Sequence, residues 1–582
     1  MGKNTFYVLV TIFISFSVFS QEFSLKTRPQ NFETFAYRND SIIPLKSVKI
    51  LPESKAVFES KLPYPIIFIH GLNSNSETWN ATTDYFDSQY GYTFGGRFDF
   101  CLNGDANNSK ANTNFYPTAG ADIIAFTGTI VNGDYYYVNF DVKTDGSFGT
   151  NVLSNQSAIV KQGKALKKAI ERVLQITGKD KVILVGHSMG GLASREYLQN
   201  ASNWQADGKH HVAKLLTAGT PHGGSNASDN PIAVFTSVDR QSEAVRDLKS
   251  TYYYSGEKGK FLFGGTEKQD SSNMNDNSYT PDFYNVDVNC NGIVGDLITG
   301  LNQKTIDHFI DYSSVIGRIT NFFGSNITTD GVVEEPSSKM GQYLTGLTYP
   351  MKIFYFNSSY DIIENHTELP GEYYQLMQGL DEPNVKELAY EISTNKIYNG
   401  YTTIQEIANQ ADQDFYKFTV SDNVTLNVLV NGIVTSSMTG AILNSSGTAV
   451  GAIENKTGST LNFSRSVTPG TYFLKLTSLT PTSSNYQSPY NFTVTSTLSI
   501  PEPVAQDVMV YPNPVKDFLN LENISFKTLT ITALSGQQLK VLESDGVQTT
   551  HAIDMSTFEQ GIYLLTFENV GQQWQTFKVI KE

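Results

Sequence analysis

At 582 residues the chain is longer than one hydrophobic core can serve, because single cores stop growing at about 250 to 300 residues, so two or three domains are expected. Its 40% apolar, 17% charged and 12% aromatic content describes a polar globular protein and argues against disorder. A formal net charge of -15 with no Lys/Arg run argues against nucleic acid as a partner.

Residues 1–20, MGKNTFYVLVTIFISFSVFS, place Lys3 before an apolar run and end in the small residues Val18 and Ser20 ahead of Gln21. This pattern predicts a signal peptide and an exported protein. The apolar run from Phe6 is shorter than the ~20 residues a transmembrane helix needs, so no membrane span is expected.

A domain covering 21–390 follows, in which strand-like apolar runs alternate with helical patterns. PIIFIHG, KVILVGHS, VAKLLTAGTPHGG and MKIFYFNSS each read as a buried strand ending in glycine or polar residues. Such runs suit an α/β fold with a mostly parallel sheet, whose ligands bind at the carboxyl ends of the strands. In SNQSAIVKQGKALKKAIERVLQITGKD the spacing of Ile159, Leu166, Ile170, Val173 and Leu174 predicts a crossover helix capped by Gly178. The stretches near 85–150 and 225–325 show no clean period and are expected as irregular insertions over the sheet.

Gly186-His187-Ser188-Met189-Gly190 fits G-x-S-x-G between a strand and a helix, the turn that projects a nucleophilic serine in an α/β-hydrolase. A serine hydroxyl needs a histidine to take its proton, and the histidine needs a carboxylate to fix its tautomer. On this fold the chain order is Ser, then Asp or Glu, then His. His366 follows the strand MKIFYFNSS by a short loop, whereas His308 lies in an insertion and His551 in the C-terminal module, so His366 is the expected base. Asp330, in the turn TTDGVVEEPSS, is the expected acid, with Asp361, Glu334 and Asp311 as runners-up. The oxyanion donors are expected to be the amides of Met189 and of Leu72 in FIHGLNSNSETW, with His70 structural.

HGLNSNSETW, VGHSMGG, AGTPHGGS, TDGVV with Ser337-Ser338, and ENHTE occur in an order that resembles bacterial triacylglycerol lipases and related lipase-like hydrolases. The resemblance implies the same assignments, Ser188 as nucleophile, Asp330 as acid, His366 as base, and Leu72 and Met189 at the oxyanion hole. It implies a secreted serine hydrolase of carboxylic esters, with a lipid or other ester as substrate. The same triad would serve an amidase, thioesterase, peptidase or acyltransferase, and a non-catalytic surface-binding protein is the reading from another class.

No cofactor is expected. In DVNCNGIVGD, Asp287, Asn289, Asn291 and Gly292 match the first half of a calcium loop, but Ile298 stands where a bidentate Glu is needed, so a polar turn is favoured over calcium. Cys101 and Cys290 are the only cysteines, and an exported chain could hold them either as one disulfide or as two buried thiols.

From 395 to 500, DFYKFTV, VTLNVLV, TYFLKLTS and YNFTVTS alternate apolar and polar residues as an antiparallel sandwich does. QADQDFYKFTVSDNVTLNVLV through PGTYFLKLTS resembles the bacterial pre-peptidase C-terminal domain. A second small all-β sandwich, 505–582, contains VYPNPVKDFLNL and ends GIYLLTFENVGQQWQTFKVIKE, and it resembles the C-terminal sorting domain of the type IX secretion system. That resemblance implies the type IX machinery as a partner and a secreted or cell-surface location in a Gram-negative bacterium.

Overall fold

Ile66–Ile69, Tyr135–Asn139, Val182–His187 and Val212–Ala218 are buried at every residue, as strands covered on both faces must be, and they form the middle of the main sheet in this computed structural model. The structure describes residues 33–38, 41–46 and 59–582, without 103–123, 128–129, 144–146, 148–152, 230–237, 241, 252–256, 268–286, 292, 321–325, 345, 360–363, 404–410, 479–488, 499–507 and 569–573. The expected signal peptide at 1–20 lies outside them.

In chain order the strands are β1 (Glu33–Arg38), β2 (Ser41–Lys46), β3 (Ile66–Ile69), β4 (Phe94–Cys101), β5 (Ile124–Thr127), β6 (Tyr135–Asn139), β7 (Val182–His187) and β8 (Val212–Ala218). Then come β9 (Gly265–Thr266), β10 (Leu297–Ile298), β11 (Asp311–Thr320), β12 (Asn326–Ile327) and β13 (Lys352–Ser359). β9 and β10 pair with each other, and the rest form an 11-stranded sheet in the order β12-β11-β8-β7-β3-β6-β4-β5-β1-β2, with β13 also on β11. Strands β4, β6, β3, β7, β8, β11 and β13 run parallel, which with the helices on both faces makes this the expected α/β-hydrolase fold.

The helices are α1 (Asn80–Tyr90), α2 (Ile159–Thr177), α3 (Met189–Gln199), α4 (Glu243–Leu248), α5 (Lys260–Phe263), α6 (Glu335–Ser338), α7 (Glu364–Glu368) and α8 (Tyr373–Leu380). Alternate residues of β3 divide the core: Ile67 and Ile69 pack with Leu166 and Ile170 of α2, while Ile66 and Phe68 pack with Phe86 of α1 and Leu376 of α8. α2 ends as its spacing predicts, with Gly178 in the left-handed region at φ 65 and its amide on Leu174 O.

One expectation needs correction, and one open alternative is decided. The stretches 85–150 and 225–325 are not simply insertions over the sheet, because they contribute β4, β5, β6 and β11 to it. Their strands show no period because Tyr135-Tyr136-Tyr137 and Asp311–Gly317 are buried on both faces. No disulfide joins Cys101 to Cys290: Cys101 packs beside Val142, whereas Cys290 packs on the separate cluster around Met189 and Leu192. Burial pushes the Cys290 thiol up to about 12.

Beyond α8, β14 (Tyr390–Glu391), β16 (Asp412–Val420), β21 (Gly470–Ser478), β18 (Met438–Leu443) and β19 (Glu454–Asn455) form one antiparallel-dominated sheet. β15 (Ile397–Gly400), β22 (Tyr490–Leu498), β17 (Val424–Asn431) and β20 (Thr460–Val467) form its partner. β17 alternates buried and half-buried residues throughout. The apolar interior of these sheets is continuous with the α1 and α8 face of the main sheet, and the described residues up to 498 make one compact unit. The second unit, 499–582, pairs strands over a core of its own around Leu519, Leu529, Ile531 and Leu565.

Candidate active site

Ser188 stands between β7 and α3 with φ 50 and ψ -123, a strained backbone for a residue with a side chain. Glycine at the flanking position is required by space: a Cβ on Gly190 would lie 2.4 Å from the carbonyl oxygen of Ile69 in β3. The Ser188 amide donates to Ala218 O at 2.8 Å, tying the turn to the end of β8. Met189 begins α3, where the first amides of a helix have no partner within it and carry the positive end of the dipole.

Leu72 follows Gly71 on the loop after β3. That loop passes close to the serine, since a Cβ on Gly71 would lie 2.8 Å from Ser188 Cβ. His70, fully buried, has Nδ1 2.8 Å from Gly71 O and takes the Phe140 amide at Nε2 over 2.9 Å. A carbonyl can only accept, so Nδ1 carries the proton. Burial holds this imidazole down to about 4, so it is neutral at pH 7.

Asp330 is fully buried in the turn after β12, the short strand paired on β11. Its Oδ1 accepts the amides of Val332 at 2.9 Å and Val333 at 2.7 Å, which orient the carboxylate, and its Oδ2 lies 2.7 Å from His366 Nδ1. The His366 amide also donates to Asp330 O at 3.2 Å. A Cβ on Gly219, the residue after Ala218, would lie 3.1 Å from both Asp330 Oδ2 and His366 Nδ1. The serine's amide and the Asp–His pair therefore meet the chain at adjacent residues, Ala218 and Gly219. The geometry offers a strained serine, an Asp-oriented imidazole and helix-start amides at the carboxyl ends of β3, β7, β8, β11 and β13.

The runners-up lie elsewhere. Asp311, at the amino end of β11, bonds the Lys214 ammonium; Glu334 is exposed and precedes α6; Asp361 is outside the described residues. His308 packs at a tilt against Phe309 ahead of β11, with ring centroids 4.2 Å apart, and His551 belongs to the second unit. The sequence does not single out the ring of His187, whose Nε2 lies 2.9 Å from the His366 carbonyl oxygen. It stands at the variable position of the motif, and nothing in its spacing signals a bond across 179 residues.

The loop at Asp287 is closed by its own polar atoms: the Asn291 amide bonds Asp287 Oδ1 at 3.0 Å, and the Asn289 and Asn291 side chains donate to Asp296 Oδ2. Gly292 is outside the described residues. A second acidic group, Asp381, Glu382 and Asp414, is buried with one carboxylate oxygen from each within 4.8 Å of the others, near enough to share a cation, although the Lys352 ammonium already bonds Asp381.

Residues 63–255 match the family of PGAP1-like alpha/beta domains, and residues 509–582 match the secretion system C-terminal sorting domain. The chain is 34% identical over 120 residues to a triacylglycerol lipase of Pseudarthrobacter phenanthrenivorans, covering 20% of this chain and 35% of that protein. A triacylglycerol lipase of Burkholderia plantarii is also 34% identical over 120 residues, covering 20% and 32%. The chain thus spans about a third of the length of the curated relatives it matches. Among solved structures, a Bacillus licheniformis lipase in its propeptide form aligns at TM-score 0.25 and 15% identity over 90% of this chain and 95% of that one. The pre-peptidase C-terminal domain of a Bacillus anthracis collagenase aligns at TM-score 0.15 and 16% identity over 20% and 99%. The sorting domain marks the chain as secreted or held at the cell surface. Among the described residues, no helix is long and apolar enough to cross a membrane.

Proposed function

We propose that this chain, an α/β-hydrolase of the lipase and esterase kind, cleaves carboxylic esters of lipids or smaller acyl compounds with Ser188 as nucleophile. The observation that carries the reading is the His366–Asp330 pair at 2.7 Å beside a serine in strained backbone.

With Nδ1–H donated to Asp330, the neutral His366 ring has its lone pair on Nε2, the nitrogen that takes the Ser188 proton as Oγ attacks the ester carbonyl. Negative charge then gathers on the former carbonyl oxygen, where the amides of Leu72 and Met189 would receive it. Collapse expels the alcohol, which leaves with the proton returned from His366. Water, deprotonated by the same imidazole, then releases the acid from the acyl-serine. Asp330 keeps the tautomer and steadies the imidazolium. These steps need no cofactor. Export of the enzyme falls to the type IX machinery, engaged by the C-terminal sorting domain.

Ser188→Ala should leave folding intact and lower turnover of p-nitrophenyl esters by about 10⁴-fold or more. Turnover at the parent rate would rule the reading out. A panel running from short soluble esters to emulsified triglycerides, with amides and thioesters alongside, then fixes the acyl donor.

A further inference from the structure

The His366 residue is anchored at three atoms. Its amide bonds Asp330 O and its Nδ1 bonds Asp330 Oδ2, both from the acid turn. Its carbonyl is held from the opposite side, by His187 Nε2 at 2.9 Å. A carbonyl oxygen can only accept, so His187 carries its proton on Nε2 and has a bare Nδ1. Among the described residues that Nδ1, buried, has no hydrogen-bond partner, so the Nε2 bond is what orients the ring.

The His187 ring is wedged among the parts of the candidate site. It lies 4.9 Å from the His366 ring, centroid to centroid, and 6.4 Å from Trp79, which meets it edge to face. A Cβ on Gly71 would come within 3.0 Å of its Nδ1, so the oxyanion loop needs glycine to pass it. The helix that carries the base, α7, is five residues long, too short to be stable by its own hydrogen bonds. Its place depends on outside anchors: His187 from β7, and the buried Asn365, whose Nδ2 donates to Arg318 O of β11 at 3.0 Å and to Ser358 Oγ of β13 at 2.9 Å.

We propose that His187 is a positioning residue of the ester-cleaving reaction, its Nε2–H holding the His366 carbonyl so that the catalytic imidazole keeps its place beside Ser188. The proposal rests on the reading of Ser188, Asp330 and His366 as a triad. The residue just before the nucleophile thus fixes the base, and one strand end, that of β7, sets the position of both reacting groups. A charged His187 would oppose proton uptake by its neighbour. Burial, with His366 beside it, holds His187 well below the ordinary histidine range, so it stays neutral.

The test compares His187→Phe, which keeps a flat ring without a donor, with His187→Gln, whose amide can still donate to the carbonyl, each made in the full chain. In the Phe variant kcat for p-nitrophenyl butyrate should fall about 10- to 100-fold with KM within about twofold, since misplacement of order 1 Å costs rate on that scale. Fluorophosphonate labelling of Ser188 should slow in the same proportion, and the Gln variant should return to within about threefold of the parent rate. If the Phe variant does not fold, His187→Asn, too short to reach the carbonyl, takes its place against Gln. Parent kcat in the donor-free variant, or an equal loss in the Gln and donor-free variants with native near-UV spectra, overturns the proposal. Undiminished turnover by Ser188→Ala would overturn the triad itself, an outcome the His187 variants cannot mimic.

Discussion

His70 uses both ring nitrogens on main-chain partners, and folding therefore requires it neutral. Its folded pKa of about 4 lies below the 6.5 of an exposed histidine. Between those values the unfolded chain binds more protons, so the contribution of His70 to stability is complete above pH 6.5 and is lost as pH falls toward 4. Relative to His70→Gln, the parent should lose about 1.4 kcal/mol per pH unit across that window in urea titrations. A difference that does not change with pH would refute the account. At this scale the candidate site is readable where chemistry forces chain order: Ser188, Asp330 and His366 are singled out as the proposed nucleophile, acid and base because a serine on this fold needs an acid and then a base after it. The hydrogen bonds of His187 and Asn365 were not readable, because they join residues whose nearness exists only once the strands are assembled.

Among the elements, α4 shows how a segment without sequence periodicity can still be fixed in place. Its Glu243 accepts the Ala158 amide at 2.9 Å and pairs with Lys161 at 2.9 Å, and its Asp247 accepts the Ile159 amide at 2.9 Å, so both carboxylates cap the start of α2. Lys161 and Glu243 are each 1% exposed. Glu243→Ala should therefore destabilise by about 3–5 kcal/mol, the cost of breaking a buried ion pair from one side, whereas Lys161→Met with Glu243→Leu should recover most of it. Urea midpoints of the single and double variants check this, and equal losses in both would count against it. The strands β7 and β8 and the helix α2 were legible as mainly apolar runs or a clean helical period. β6 and β11 were not: tyrosines and serines buried on both faces carry no alternation, and their strand character depends on neighbours already in the sheet.

For the molecule as a whole, the change of texture after residue 390 marks a change of architecture without a break in the core. Tyr64 packs on Tyr390 with ring centroids 5.4 Å apart, the Asn399 amide bonds Lys61 O at 2.8 Å, and Leu376 and Leu426 share one apolar cluster. A chain cut at 390 should fail to yield soluble folded protein, because it exposes that interior. A chain ending at 498 should keep its kcat and melt within a few degrees of the parent. Calorimetry on both shortened chains decides this, and a stable, active 1–390 fragment would show that the sandwich is dispensable. Sequence texture could locate the transition but not the shared core, since burial against a distant segment has no local signature.

Cys101 and Cys290, seated in separate clusters, give the molecule one more property. With no covalent cross-link between them, the native state makes no demand on thiol oxidation. The described fold is thus compatible with a reducing or an oxidising compartment alike.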